Sequence, residues 1–282
     1  FPHAPVETDK TWPEMVHRYF AGTLGLFILA IAIISIRLNQ CTSGTLSHIE
    51  KLPLKLPLFL LALVILQAAF GMWTVTLKLW PKVVTAHLLG GFATLSLLWL
   101  LVQRLGGERW LLTQAQEKKL QGIKPLLLFS LCIVIVQIAL GGWVSSNYAA
   151  LACPDIPQCL GEWVPPMDLV TGFAVFQDIG PNYLGGQLDN HGRTAIHFMH
   201  RLGAVTVLIT LLILAFNMWR VGSSQVTSWV YLLLLVLFVQ LALGVSNIIF
   251  ALPLSVAVAH NAIGALLLLV MVSICYRVFS KQ

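Results

Sequence analysis

The stretch PEMVHRYFAG, residues 13 to 22, marks the point where a polar segment meets an apolar one. It places Glu14, His17 and Arg18 just before residues 19–36, an uncharged run long enough to cross a bilayer as one helix. Working outward from it, comparable uncharged runs recur along the chain, at 56–77, 83–103, about 125–144 and 202–219, with room for two more in 221–276. The pattern predicts seven membrane-spanning helices.

The composition agrees with a membrane protein. Of the 282 residues 58% are hydrophobic and only 10% are charged, and the mean hydropathy is +0.85. This leaves too little polar surface to cover a soluble globule of the same size. We therefore predict an all-α, polytopic transmembrane bundle surrounded by lipid.

The charges orient this bundle. Basic residues concentrate in the loops after the first, third, fifth and seventh spans, at Arg37, Lys51, Lys55, Arg104, Arg109, Lys118, Lys119, Lys124, Arg220, Arg277 and Lys281. Acidic residues concentrate on the other side, at Glu7, Asp9, Glu14, Asp155, Glu162, Asp168, Asp178 and Asp189. The basic loops are expected to be cytoplasmic. No basic stripe interleaved with aromatic residues occurs, so we predict no nucleic-acid partner.

Two cysteines lie in the long outer loop, in the stretch ACPDIPQC. Cys153 and Cys159 have neither a histidine nor a third cysteine at a zinc-finger spacing. An outer, oxidising location and this spacing favour a disulfide over a metal site.

The chain contains an internal repeat. A shift of 183 positions aligns residues 14–23 with 197–206, and a shift of 173 aligns 67–91 with 240–264. Both copies enter the membrane from the same side, which is typical of parallel duplication. We predict two homologous halves, 1–103 and 124–282, joined by a cytoplasmic linker at 104–123.

A Gln-x-Ala-x-Gly pattern occurs three times, at 67–71, 137–141 and 240–244. The copy at 137–141 belongs to the first helix of the second half, and that helix has no counterpart in the first half. The sequence therefore predicts an eighth helix upstream of Phe1 and a bundle of four plus four helices.

Four histidines occupy matching positions near the outer ends of their helices: His17, His87, His200 and His260. Any one of them alone reads as an interfacial residue, but four related by a repeat indicate ligands. Zinc is disfavoured because no cysteine accompanies them. Two histidines per half, each from a different helix, favour axial ligation of haem iron.

Residues beside the histidines can be interpreted in two ways. Arg18 and Arg201 each follow a histidine and are candidates for binding haem propionates, or else are interface anchors. Small residues such as Gly203 and Gly264 would let a flat macrocycle approach the backbone, or else allow close helix packing.

The halves differ three residues before the first histidine of each. Glu14 stands there in the first half and His197 in the second. A carboxylate beside a macrocycle suggests chemistry in the first half and a resident electron carrier in the second. The alternative is that Glu14 caps its helix or lies among the headgroups.

At this point the sequence resembles the haem A synthase family along nearly its whole length. The motifs that carry the resemblance are EMVHR at 14–18, TAHLLGG at 85–91, FMHRLGA at 198–204 and VAHNAIG at 258–264. The resemblance implies an eight-helix enzyme of the bacterial inner membrane, with haem sites near the periplasmic face. It would oxidise the C8 methyl of haem O to a formyl group, giving haem A.

The resemblance also implies roles for individual residues. His17 and His87 would hold the substrate haem, Glu14 would act in its oxidation, and His200 and His260 would ligate haem b. Cys153 and Cys159 match the outer-loop cysteine pair of the second half. The implied partners are haem O synthase, cytochrome c oxidase assembly and an electron acceptor that the sequence does not identify.

Two other functions share the histidine argument. A di-haem b-type electron-transfer cytochrome would contain only protohaem and would not need Glu14 for chemistry. A haem transporter or chaperone would hold exchangeable haem at both sites.

Overall fold

A computed structural model describes residues 8–41, 54–107, 109–180 and 186–280, without the side chains of residues 8–11 and 41. The regular structure in these ranges is helical. It comprises α1 (Thr8–Cys41), α2 (Lys55–Thr76), α3 (Pro81–Gly106), α4 (Gln114–Ser146), α5 (Leu169–Gly172), α6 (Asn190–Trp219), α7 (Ser224–Ile249) and α8 (Leu254–Phe279).

The seven predicted spans are confirmed. Every helix except the short α5 is long and apolar enough to cross a membrane, with mean hydropathies of 1.7 to 2.5 over the most apolar windows. Helices span a bilayer because each backbone N–H and C=O is paired within the segment. The chain is thus an all-α, multi-pass membrane protein.

Three helices begin well before the uncharged runs in the sequence: α1 at Thr8, α4 at Gln114 and α6 at Asn190. Helix α4 starts at Gln114, so most of the linker predicted at 104–123 is helical. Thr113 and Gln116 form a reciprocal capping box there, which satisfies backbone donors that would otherwise be unpaired. Charged residues end a hydrophobic run without ending a helix, so the predicted boundary was too late. Lys51, Lys281 and Glu7, used to orient the bundle, lie outside the described residues.

The chain forms two compact units, Phe1–Ala69 and Phe70–Gln282. The first contains α1 and most of α2, which approach each other where a Cβ on Gly25 would lie 3.5 Å from Val64 Cγ1. The second contains the remaining helices. There α4 packs against α3, α6 and α8, α7 packs against α6 and α8, and α3 packs against α8.

The core of the second unit lies between α4, α6, α7 and α8. Its fully buried members include Leu127, Leu211, Leu233 and Met271. Helices α6 and α8, which carry His200 and His260 near their N-terminal ends, both contribute side chains to this core.

The turns after α2 and α7 share an unusual backbone. Lys78 and Leu79 have φ of 51° and 59°, and Ala251 and Leu252 have φ of 52° and 63°. Non-glycine residues rarely adopt this left-handed conformation, yet it closes both helices here. The two turns are 173 positions apart, the same shift that aligns the sequences, which supports a duplicated hairpin.

Candidate functional site

His200 and His260 lie near the N-terminal ends of α6 and α8. His200 is the eleventh residue of α6 and His260 the seventh of α8, and both side chains are partly buried. Both helices pack against α4. That the two histidines serve one site stays a prediction.

A glutamine from the preceding membrane-spanning helix contacts each of these rings. Gln137 Nε2 on α4 lies 3.1 Å from His200 Nδ1 and donates to the His200 carbonyl oxygen at 3.0 Å. Gln240 Nε2 on α7 lies 3.3 Å from His260 Nε2. Each imidazole is therefore oriented by an amide from a neighbouring helix.

The glycine of each Gln-x-Ala-x-Gly pattern lies close to a histidine ring. A Cβ on Gly141 would be 3.3 Å from His200 Cε1, and a Cβ on Gly244 would be 3.2 Å from His260 Cε1. In the same way, a Cβ on Gly71 would be 3.3 Å from His87 Cε1. The pattern thus provides space for an imidazole one helical turn after its glutamine.

Glycines on the helices that carry the histidines leave space for the two glutamine side chains. A Cβ on Gly203 would lie 2.0 Å from Gln137 Oε1, and a Cβ on Gly264 would lie 3.2 Å from Gln240 Nε2. These glycines accommodate the glutamine side chains of the facing helix, which is the close packing that the sequence allows for them.

Sequence reasoning found the repeated Gln-x-Ala-x-Gly pattern but assigned it no role. The sequence does contain a signal for such a role, because each copy lies one membrane-spanning helix before a candidate ligand: 67–71 before His87, 137–141 before His200 and 240–244 before His260. What the sequence lacked was the packing register that places the glutamine against the ring.

The residues of the first predicted site lie in different units. Glu14, His17 and Arg18 belong to the first unit and His87 to the second. Arg18 Nη2 lies 2.5 Å from Glu14 Oε1, and the two side chains are 56% and 49% exposed. The candidate propionate ligand of this half is thus ion-paired with the candidate catalytic carboxylate. Joint binding of a haem by His17 and His87 stays a prediction.

The predicted disulfide is present. Cys153 and Cys159 are bonded, with an S–S distance of 1.99 Å, and both are fully buried. The loop that they close is hydrogen-bonded to His197 and Arg201 of α6, which lie on either side of His200 in the sequence. His197 Nδ1 accepts a hydrogen bond from the Cys153 backbone N–H at 3.1 Å.

Arg201 is the second anchor of this loop. Its terminal nitrogens donate to the carbonyl oxygens of Asp155 at 2.8 Å and Gln158 at 2.9 Å, and also to that of Cys153. Its Nε atom is buried and has no hydrogen-bond partner within the described ranges. Arg201 therefore fixes the loop, and of its five N–H donors only that of Nε and one of Nη2 are left to serve the propionate role predicted for it.

An apolar, largely open cavity of about 450 Å³ lies in the second unit, at the end of α2 and the start of α3. Aromatic and aliphatic side chains line it, together with one lysine: Phe70, Trp73, Leu77, Trp80, Lys82, Val83 and Ala86. Lys82 Nζ lies 3.5 Å from the centroid of the Trp80 ring. The cavity suits an aliphatic chain better than a polar ligand.

The second-unit histidines fit an axially ligated haem in two respects. They supply two imidazoles from two helices, held in place by Gln137 and Gln240. His260 Nδ1 is buried without a hydrogen-bond partner in the part of the chain that the structure describes, so it is available to a ligand. Iron ligation itself stays a prediction.

Comparison with known proteins gives a consistent result. The family model described as cytochrome oxidase assembly protein matches residues 3–272. A heme A synthase of Shewanella oneidensis is 43% identical over 282 residues, covering all of this chain and 81% of the relative.

More distant relatives carry the same name. A heme A synthase of Halalkalibacterium halodurans is 25% identical over 274 residues, covering 95% of this chain and 79% of the relative. One of Rickettsia prowazekii is 28% identical over 162 residues, covering 56% of this chain and 45% of the relative.

Proposed function

Because the chain belongs to the cytochrome oxidase assembly protein family, we propose that it is a haem A synthase that oxidises the C8 methyl of haem O to a formyl group. The observation that carries the proposal is the 43% identity with a heme A synthase along the entire chain. The location we propose is the bacterial inner membrane, with the haem sites near the periplasmic face.

The two histidine pairs would have different tasks. His200 and His260 would ligate haem b, which supplies one-electron transfer when bound. His17 and His87 would hold haem O. The apolar cavity lined by Ala86, the residue before His87, supports this assignment, because haem O carries a long isoprenoid tail that a site for haem b does not need to accommodate.

Glu14 would act on the substrate. The first round would remove two electrons and a proton from the methyl group, and water would add to the carbon with loss of a second proton to give the hydroxymethyl group. The second round would remove two electrons and two protons to give the formyl group. Loss of electrons builds positive charge on the carbon, and a carboxylate close to it would lower the barrier. Arg18, paired with Glu14 in the structure, would keep the carboxylate oriented between rounds.

The product implies partners. An enzyme that farnesylates haem must supply the substrate, and the oxidase that uses haem A must receive the product. The electrons removed from the methyl group must pass to a one-electron acceptor outside this chain.

The decisive experiment is to purify the protein and identify its extracted pigments by mass. We expect wild type to contain protohaem together with haem O, its hydroxymethyl derivative or haem A. Glu14→Gln should retain haem O but form neither oxidised product, because it has lost the charge while keeping the size. Glu162→Ala, which removes an exposed outer-loop acid, is the matched control and should behave like wild type.

The same measurement separates the alternatives. Protohaem alone in the wild type would identify an electron-transfer cytochrome and would refute the synthase proposal. Replacing His200 and His260 together should abolish the low-spin haem b spectrum. A spectrum that survives this double replacement would refute the assignment of haem b.

A further inference from the structure

We propose that Arg193 on α6 binds a propionate carboxylate of the haem held by His200. This inference rests on the proposed function, which assigns haem b to His200 and His260, and it names a residue that recognises the anionic edge of that haem. The arginine next to His200 is largely committed elsewhere, because Arg201 uses three of its N–H donors on carbonyl oxygens of the disulfide loop.

The guanidinium of Arg193 makes few contacts of its own. Its Nη2 donates to the Gly186 carbonyl oxygen at 2.9 Å. Its Nε is buried and has no hydrogen-bond partner among the residues that the structure describes. An arginine carries five N–H donors, and a buried donor without an acceptor is costly. Arg193 therefore has donors available for an acceptor that the described residues do not provide.

The charge of Arg193 is also without a carboxylate partner in the described part of the chain, where the ion pair that forms joins Arg18 to Glu14. Asp189, the acid nearest to Arg193 in the sequence, caps α6 instead. Its Oδ1 accepts a hydrogen bond from the Gly192 N–H at 2.8 Å. A half-buried guanidinium at a membrane boundary indicates an anionic ligand, because charges removed from water are normally paired.

Arg193 lies on the same face of α6 as His200. The two residues are seven positions apart, which is nearly two turns, so their Cα–Cβ bonds point in almost the same direction about the helix axis. The rise between them is about 10 Å, toward the N-terminal end of the span. Both residues also face α4. His200 contacts Gln137 there, and Gly186, which Arg193 binds, packs against Asn147 at the end of α4.

A haem ligated by His200 would present its propionates at the level of Arg193. Carboxylates avoid the hydrocarbon core, so the propionate edge would be directed toward the N-terminal end of α6, where the span meets the headgroups. A guanidinium binds a carboxylate through two parallel N–H···O bonds, which fixes orientation as well as charge. Arg193 would thus set the rotation of the macrocycle about the bond between the iron and His200.

The internal repeat supplies an independent observation. The shift of 183 positions that aligns the two histidine helices places Lys10 opposite Arg193 and also aligns the threonines that follow them. A cation therefore stands seven positions before the first histidine of each half, His17 and His200. Every haem of this kind carries propionates, so a cation at the same position in both halves fits an anionic feature that the two ligands share.

The test uses the full chain, purified with its haem, and measures the reduction potential, the resonance Raman spectrum and the rate of haem dissociation. Arg193→Gln removes a positive charge that disfavours ferric iron, so the potential of the low-spin haem should shift in the negative direction. Haem should dissociate about 10-fold faster or more, because a charge-assisted hydrogen bond is lost. The Raman band of propionate bending should shift as well.

Two further variants secure the interpretation. Arg193→Lys keeps the charge but replaces the planar fork by a single ammonium group. Its potential should stay close to that of wild type, whereas its propionate band should shift as in the glutamine variant. Arg220→Gln makes the same change of charge at the other end of α6, about 40 Å of helix away, and should leave both readouts unchanged.

A potential that separates lysine from glutamine, together with a shifted propionate band in both variants, would support the inference. If Arg193 only held the Gly186 carbonyl, lysine and glutamine could each still donate that one hydrogen bond. The two potentials would then move equally or not at all, and the inference would be overturned.

The remaining outcomes separate this inference from the proposed function. A lipid phosphate bound by Arg193 would leave the propionate band unchanged in every variant, which would also overturn the inference while leaving the haem b assignment intact. Absence of a low-spin haem from the wild type would refute both.

Discussion

Gly203 is the residue on which the close approach of α4 and α6 depends. A Cβ at this position would lie 2.0 Å from Gln137 Oε1 and 3.1 Å from Leu140 Cδ1. The glutamine cannot simply swing aside, because its amide is bound to His200. We expect Gly203→Ala to lower the free energy of unfolding by about 1–3 kcal/mol, the usual effect of overpacking. Thermal denaturation of the detergent-solubilised protein would measure it.

Two other glycines serve as controls for this prediction. A Cβ on Gly264 would lie 3.2 Å from Gln240 Nε2, so its replacement by alanine should destabilise less. A Cβ on Gly22 would meet nothing within 4 Å, and alanine there should be neutral or stabilising, since glycine is a poor helix former. A destabilisation by Gly22→Ala as large as that by Gly203→Ala would contradict the explanation.

At the scale of elements, helix α6 holds the disulfide loop through His197 and Arg201, which lie on either side of His200. Replacing Arg201 by methionine removes three hydrogen bonds to loop carbonyls. Hydrogen bonds to charged groups contribute about 1.5–3 kcal/mol each. We expect amide exchange across residues 153–159 to accelerate by at least about 10-fold, as measured by mass spectrometry.

The matched control is Arg220→Met at the other end of α6, where the guanidinium stacks 5.8 Å from the Phe216 ring centroid. It should leave exchange in the disulfide loop unchanged. Equal acceleration in both variants would mean that α6 is generally destabilised and that the loop has no specific tether.

The short helix α5 depends on one carboxylate. Asp168 accepts hydrogen bonds from the backbone N–H groups of Val170 and Thr171 and from the Thr171 hydroxyl. The pKa of Asp168 lies below its usual value of 3.8, chiefly because of the Thr171 hydroxyl and then of its backbone N–H. Because the pKa of Asp168 is lower in the folded state than in the unfolded state, the ionised carboxylate stabilises α5 at pH values above the unfolded-state pKa. This stabilisation is lost as the pH falls through the folded-state pKa.

We therefore expect amide exchange in residues 169–173, corrected for the intrinsic rate, to accelerate as the pH falls below about 3.8. Asp168→Asn should exchange faster at neutral pH and lose this acid dependence. If the asparagine variant keeps the same acid transition as the wild type, another group controls α5.

Across the whole molecule, the sequence predicted the spans better than the site. Uncharged runs locate the membrane helices because lipid penalises each unpaired charge and backbone group. Charge does not locate helix ends, so α4 was predicted from about residue 125 although its helix begins at Gln114. Similarly, the four histidines stand out because they are repeated. The contact between Gln137 and His200, which are 63 positions apart, depends instead on how α4 packs against α6.

The orientation of the bundle is the remaining prediction at this scale, and it rests on the distribution of lysine and arginine. A reporter that is active only outside the cytoplasm, such as alkaline phosphatase, should be active when fused within residues 173–178 of the loop between α5 and α6. A fluorescent protein that folds only in the cytoplasm should be fluorescent when fused after Gln282. Gly107 follows the third span and Gly222 the fifth, so an even number of spans separates each of them from the end of the seventh span. Fusions at these two positions, which lie in basic loops, should therefore match the fusion after Gln282. The reversed pattern would place His200 and His260 near the cytoplasmic face, and the disulfide loop in a reducing compartment where the bond between Cys153 and Cys159 would not persist.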